Sequence, residues 1–167
     1  MLTDIRELLV REIRELYHAE TLLLPVMDEL LAAAQTDDLR QHFVEGKEVN
    51  MNNVDDLAAV CQSLKVDPLG YASATMECMI QLSRQGIMAA VKPEMRDLTL
   101  SHCYLHIIYY RIGCLEIIRA LAHAISNKIA EQVADDCLAQ ARDMADAVHK
   151  TNNGGFFSKG LLSRAKA

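Results

Sequence analysis

The stretch "LYHAETLLLPVM", residues 16–27, places one carboxylate in a helical stripe that is otherwise apolar. Counted by alternating steps of four and three, the stripe consists of Leu9, Ile13, Leu16, Glu20, Leu23, Met27 and Leu30. A stripe of this kind is the side of a helix that packs against other helices. Glu20 is therefore predicted to be buried at the middle of a helix bundle, where a charge needs a compensating partner.

The composition agrees with a helical protein of one domain. The chain has 167 residues, of which 51% are hydrophobic and 24% charged, with only 7 Gly and 3 Pro. Long stretches without turn residues, and no alternating apolar pattern, predict helices and no strands. We expect a helical bundle over residues 1–153 and a basic and apolar C-terminal tail over residues 154–167.

Capping and stop signals divide the chain into five predicted helices. Thr3 is expected to cap the first helix and Thr36 the second. The predicted helices span about residues 3–34, 36–65, 72–91, 94–126 and 128–150. The third is short and lies in a long connection between two long helices. This order predicts an all-α, ferritin-like four-helix bundle with a long crossover connection containing a short fifth helix. An up-and-down bundle with an outer helix is the alternative.

Polar residues interrupt other predicted stripes near the height of Glu20. Asn50 and Asn53 lie in the second helix and Gln140 in the last, so we expect a polar core layer of Glu20, Asn50, Asn53 and Gln140. A dimetal carboxylate site needs about four carboxylates and two imidazoles, whereas this layer has one carboxylate and amides. The sequence therefore favours a hydrogen-bonded layer that holds no metal and no cofactor.

An irregular metal site is the alternative. Glu48, His106 and Glu116 each lie within about one helical position of an inward stripe and could join Glu20 in binding iron or manganese. Such a site would indicate an oxidoreductase or an iron-handling protein. Charged residues at the flank of a stripe are more often solvated, and we expect that for these three.

The first helix carries a motif with a known counterpart. The stretch "IRELYHAETLLL" places Ile13, Tyr17, Ala19 and Glu20 in the pattern L-x-x-x-Y-x-A-E, with Ile13 at the leucine position. This pattern resembles the first helix of the YciE/YciF family of bacterial proteins, and the similarity extends over about residues 5–150. The resemblance implies a ferritin-like fold and an association with stress.

The chain departs from that family where the resemblance would place metal ligands. Val49 and Asn53 stand at two ligand positions of the second helix, and residues 105–107 read Leu-His-Ile in place of Glu-His-Tyr. The paired glutamates of the last helix fall on Gln140 and Ala141. Of the implied ligand set only Glu20 is kept, so the resemblance implies a ferritin-like bundle with a lost dimetal centre.

Charge and cysteine content limit the partners and the compartment. The net charge is −6, with residues 154–167 carrying three basic and no acidic side chains. An acidic body makes nucleic acid an unlikely ligand class on electrostatic grounds. The odd count of 5 cysteines, without a C-x-x-C pair, predicts reduced core residues in a cytoplasmic protein. We find neither a signal peptide nor a transmembrane segment.

The tail combines apolar and basic side chains after a Gly-Gly pair. Phe156, Phe157, Leu161 and Leu162 alternate with Lys159, Arg164 and Lys166. Such a segment can dock weakly on a partner or on an anionic membrane, and a mobile terminus is the alternative. Because the apolar stripes of the bundle end before Asn152, we expect that removal of residues 154–167 leaves the stability of the bundle nearly unchanged.

These observations favour a non-enzymatic structural or binding protein that forms a homodimer. The stretch "MIQLSRQGIM", residues 79–88, offers a larger apolar surface than a short helix needs, so we expect the outer faces of this helix and of the first helix to form the dimer interface. If no cation pairs with Glu20, Glu20→Gln should be neutral or stabilising at neutral pH. The sequence specifies no ligand, partner or signal.

Overall fold

The computed structural model describes residues 4–154 and 160–166, and within them the protein is all-α. The helices are α1 (Ile5–Ala33), α2 (Asp37–Ser63), α3 (Ala74–Ala89), α4 (Pro93–Ala124), α5 (Lys128–Asn153) and α6 (Leu161–Arg164). The described residues contain no strand. The predicted fold class is confirmed, with α3 as the short helix of the connection and α6 as an addition.

The helices α1 and α5 begin after residues whose side chains cap their first N–H groups. The Asp4 carboxylate caps α1 by accepting a hydrogen bond from the Glu7 N–H at 2.8 Å, and the Asn127 side chain caps α5 by accepting from the Ala130 N–H at 3.1 Å. Thr3, the predicted cap of α1, lies outside the described residues. Thr36 occupies the predicted cap position of α2, but its side chain makes no capping hydrogen bond.

The four long helices form a ring. α1 packs against α2 and α4, and α5 packs against the same two helices, so α1 and α5 lie diagonally across the bundle. The short helix α3 packs on the outside against α1 and α4. The long connection therefore runs along the outer surface of the bundle.

Hydrogen bonds at the two ends of the bundle fix the direction of the helices. Asp97, in the first turns of α4, accepts from the N–H groups of Gln35 and Thr36 in the loop between α1 and α2. At the opposite end, Arg6 of α1 donates to the carbonyl of Leu64 after α2. The start of α4 thus lies beside the end of α1, which is the crossover topology. In an up-and-down bundle it would lie at the other end.

The apolar core has two parts on either side of Glu20. One cluster includes Leu23 of α1, Phe43 of α2 and Ile108 of α4. The other includes Ile13 of α1 and Leu115 of α4. Glu20 lies on α1 between these clusters, so it occupies the middle of the bundle, as the stripe predicts.

The described part of the tail packs on the bundle itself. α6 contacts α4 and α5, and Leu161 is only 2% exposed. Gly160 lies so close to the backbone of Asn152 and Gly154 that a Cβ atom would overlap with it. These contacts argue against a tail without effect on stability. Phe156, Phe157 and Lys159, which the docking prediction also invoked, lie outside the described residues.

Candidate functional site

The carboxylate of Glu20 forms an ion pair inside the bundle. Its Oε1 accepts a hydrogen bond from Nε of Arg111 on α4 at 2.7 Å. Both side chains are 1% exposed, so the pair is shielded from water. The guanidinium beside this carboxylate offsets part of the hydration that the carboxylate loses on burial.

Asn50 of α2 supplies the second partner of Glu20. Its Nδ2 donates to Oε2 of Glu20 at 2.5 Å and to the Glu20 main-chain carbonyl at 2.9 Å. An amide nitrogen carries two hydrogens, so both are used. Three helices of the bundle, α1, α2 and α4, are therefore joined at the height of Glu20.

Arg111 is the residue of this layer that the sequence analysis missed. It lies between Tyr110 and Ile112 on α4, a helix from which the predicted polar layer takes no residue. An arginine in a helix is usually solvated, so nothing in its local sequence predicts burial. The one available signal is the buried carboxylate itself, because an uncompensated charge at that depth calls for a cation from another helix.

A tyrosine on α4 closes the layer on the side of Phe43. The ring of Tyr104 packs edge-on against Phe43, with 5.2 Å between ring centroids. Its hydroxyl lies against Gly46, where a Cβ atom would overlap with it. Burial raises the pKa of Tyr104, so the hydroxyl stays protonated at neutral pH. A glycine is therefore required at position 46, because the Tyr104 hydroxyl occupies the space that a Cβ atom would need.

Asn53 joins α2 to α5. Its Oδ1 accepts a weak hydrogen bond from Sγ of Cys137, with 3.3 Å between the atoms. Burial raises the pKa of the Cys137 thiol to about 12, so this thiol is neutral and unreactive at neutral pH. The contact is structural, because a thiolate is the form of cysteine that acts as a nucleophile or metal ligand.

Gln140 does not belong to the layer. The structure corrects the prediction, because Gln140 is exposed while Leu138 and Ala141 are buried. Ile129, a large apolar residue of the same helix, is 55% exposed. The buried face of α5 is instead lined by Ala130, Ala134, Cys137, Leu138, Ala141, Ala145 and Val148. The prediction for Gln140 assumed that large apolar residues mark the buried face of α5, whereas alanines form much of that face.

Comparisons with known proteins agree with this architecture. A family described as "domain of unknown function" (DUF892) matches residues 4–156. The chain belongs to this family. No curated protein matches the chain.

Two solved structures are similar to this DUF892 protein over nearly their whole length. The Escherichia coli stress protein YciF has 19% sequence identity and a TM-score of 0.85, with 89% of this chain and 94% of that chain covered. YcfI, described as "a putative structural protein" from Rhodopseudomonas palustris, has 16% identity and a TM-score of 0.85, with 88% and 94% covered. The predicted resemblance to YciF-like proteins is confirmed.

The layer of this DUF892 protein does not fit a dimetal centre. It offers one carboxylate, two amides and a guanidinium, whereas two divalent ions need several carboxylates. A guanidinium carries no lone pair for a metal, and its charge repels a cation. The donor set therefore suits an ion pair between Glu20 and Arg111 and not a pair of metal ions.

The residues of the predicted irregular metal site are not brought together in the layer. Glu48, His106 and Glu116 are exposed, whereas Glu20 is buried. Glu116 accepts a hydrogen bond from Arg142 at 2.8 Å on the surface. Over residues 4–154 and 160–166, no group of three or more His, Cys, Asp or Glu side chains is placed to hold a metal ion.

Proposed function

We propose that this chain is a non-enzymatic, ferritin-like structural or binding protein, associated with stress, in which an ion pair has replaced a dimetal carboxylate centre. The observation that carries the proposal is the Arg111–Glu20 contact, at 2.7 Å, in the middle of the bundle. A fixed cation there does for Glu20 what a metal would do, since it compensates the charge and links two helices.

The similar structures support the same class of function. One is described as a stress protein and the other as a structural protein, and neither description names a reaction. A protein of this fold whose central polar layer is occupied by an ion pair would act through its surface. We further propose that it is cytoplasmic. Among the described residues, no helix is long and apolar enough to cross a membrane.

Metal content is the test of the lost centre. The purified full-length protein would be exposed to ferrous iron and, separately, to manganese, then dialysed and measured by elemental analysis. We expect much less than one metal ion per chain. A content of about two ions per chain, as a dimetal bundle holds, would contradict the proposal.

A matched pair of variants separates core binding from surface binding. Glu20→Gln removes the buried carboxylate, and Glu94→Gln removes an exposed carboxylate that belongs to neither predicted metal site. If residual metal is on the surface, the two variants bind equal amounts. Loss of metal in Glu20→Gln alone would favour an iron-handling or oxidoreductase function.

A homodimer formed through the outer face of α3 is part of the proposal. Leu82 and Met88 are exposed there, Met88 by 79%. Ile80, which the sequence analysis assigned to the same interface, is instead buried against the bundle. Sedimentation at micromolar concentration should give a dimer, and Met88→Lys should give a monomer with unchanged helix content. A monomeric parent protein would contradict this part of the proposal.

A further inference from the structure

A cavity lies between the first half of α1 and the segment that follows α2, at the end of the bundle remote from Asp97. Its volume is about 460 Å³, and it is lined by Arg6, Glu7, Val10, Arg11, Arg14, Val66 and Tyr71. This volume is in the range of about 300–1,000 Å³ that is typical of small-molecule sites. None of the residues that line this cavity belongs to the polar layer around Glu20.

Two of the arginines are held in place by main-chain carbonyls. Nη2 of Arg6 donates to Leu64 O at 2.8 Å, and Nε of Arg14 donates to Asp67 O at 2.6 Å. These acceptors orient the guanidinium groups without neutralising them. Within the described part of the chain, neither arginine forms an ion pair with a carboxylate. Both therefore keep their positive charge and further N–H donors.

The other charged groups of the lining have different surroundings. Arg11 is paired with Glu12, whose Oε1 lies 2.6 Å from Nη2 of the arginine. Glu7 is the one acidic residue of the lining, against three arginines. The carboxylate of Asp67 accepts from the Leu69 N–H in its own turn. Among the described residues, Arg6 and Arg14 are therefore the two arginines of this lining that have no ion-pair partner.

An apolar surface lies beside these arginines. Val10 belongs to α1, and Val66 and Tyr71 belong to the connecting segment. The Tyr71 ring is available for contact, since the residue is 42% exposed. Guanidinium groups bind phosphate and carboxylate by paired, charge-assisted hydrogen bonds, and aromatic rings pack on apolar bodies.

We propose that this cavity binds a small organic anion, in which a phosphate or carboxylate group is joined to an aromatic or other apolar body. Arg6 and Arg14 bind the anionic group, and Val10, Val66 and Tyr71 contact the apolar body. The whole protein has a net charge of −6, which repels anions at long range. Binding must therefore come from short-range contacts in the cavity.

Nuclear magnetic resonance titration of the full chain with phenyl phosphate tests the proposal. We expect saturable shifts of the amide signals of residues 6–14 and 66–71, with weaker binding of inorganic phosphate and of phenol. The double variant Arg6→Gln and Arg14→Gln should lose affinity by about tenfold or more, the loss expected when a charge-assisted hydrogen bond is removed. Absence of saturable binding at millimolar phenyl phosphate would overturn the proposal.

Control variants separate the cavity from general charge effects. Arg84→Gln combined with Arg119→Gln makes the same change of charge at two exposed ion pairs on α3 and α4, and it should leave the affinity unchanged. An equal loss in this control would overturn the assignment of Arg6 and Arg14.

A third variant keeps the test valid if loss of the two arginines unfolds the protein. Tyr71→Ser removes part of the apolar wall, and it should weaken phenyl phosphate while sparing inorganic phosphate. Equal affinity of the parent protein for both probes, or no effect of Tyr71→Ser, would overturn the apolar half of the proposal.

Discussion

Two buried carboxylates of this protein are stabilised in different ways. Glu20, at the middle of the bundle, meets the guanidinium of Arg111 and the amide of Asn50. Asp97, at one end, accepts instead from the main-chain N–H groups of Gln35 and Thr36, at 2.7 and 2.9 Å. Both carboxylates are almost completely buried.

The difference follows from what the surrounding backbone can offer. In the middle of a bundle every main-chain N–H is already bonded within its helix, so a carboxylate needs a charged side chain. At the end, the loop before α2 and the start of that helix present free N–H groups and a positive dipole. Asp97 therefore satisfies the N–H groups of the two residues that precede α2, next to the positive end of the dipole of that helix.

The largest expected effect is on the Glu20–Arg111 pair. Glu20→Gln should lower the free energy of unfolding by about 3–5 kcal/mol, because it leaves a buried guanidinium without a countercharge. For a Glu20 without a paired cation, the expected effect of Glu20→Gln is neutral or stabilising, so the presence of Arg111 reverses the sign of the expected change in stability. Urea denaturation at neutral pH measures the loss, with Glu48→Gln as the control for an exposed glutamate.

The double variant Glu20→Gln and Arg111→Met completes this test. Since it removes both charges, its loss should be smaller than that of Glu20→Gln alone. If the loss of the double variant equals the sum of the losses of Glu20→Gln and Arg111→Met, the two side chains are not coupled. The role assigned to Arg111 would then be wrong.

The second effect concerns the carboxylate at the end of the bundle. Asp97→Asn should cost about 1–3 kcal/mol, because an amide offers one acceptor atom for two buried N–H groups. Glu94→Gln, a loss of the same charge at an exposed position on α4, is the control. In the central pair, adding Arg111→Met should recover part of the stability that Glu20→Gln loses. For Asp97→Asn, we expect no second substitution that removes a positive charge to recover stability. Such a rescue would break the comparison.

The third prediction concerns α6, which packs at the same end of the bundle as Asp97. Leu161 lines a small cavity together with Asp97 and Thr36. Leu161→Ala should cost about 2 kcal/mol, the low end for a buried leucine, because the short helix can relax. Leu162→Ala, its partly exposed neighbour, should cost much less. Equal small losses by thermal or urea unfolding would restore the prediction of a dispensable tail.

The smallest effect is a pH dependence at this end. Nε2 of His42 on α2 lies 2.7 Å from the Thr151 hydroxyl on α5, and burial lowers the pKa of His42 in the folded state. The unfolded chain then binds this proton more tightly, so stability is lost as pH falls below the unfolded value of about 6.5.

Unfolding of the parent protein and of His42→Gln would measure this contribution. Between about pH 7.5 and about pH 5.5, across the ordinary histidine pKa, His42→Gln should lose less stability than the parent. The exposed His106→Gln should keep the slope of the parent. Identical slopes for all three proteins would show that His42 makes no such contribution.

The sequence by itself determined the helices and the family and favoured the crossover, which only the contact of Asp97 with the loop before α2 decided. Those properties depend on local signals: caps at helix starts, the length of the connection, and the motif around Glu20. It also placed Glu20, Asn50 and Asn53 on inward faces, because a polar residue in a regular apolar stripe is conspicuous.

Only the tertiary structure decided which groups satisfy the buried charges. Arg111 lies 91 positions from Glu20, and Asp97 lies about 60 positions from the N–H groups it binds. The rotation of α5, which exposes Gln140, depends on close packing of alanines against its neighbours. Such contacts follow from how helices rotate and pack together, and local periodicity fixes a helical face only to within about one residue.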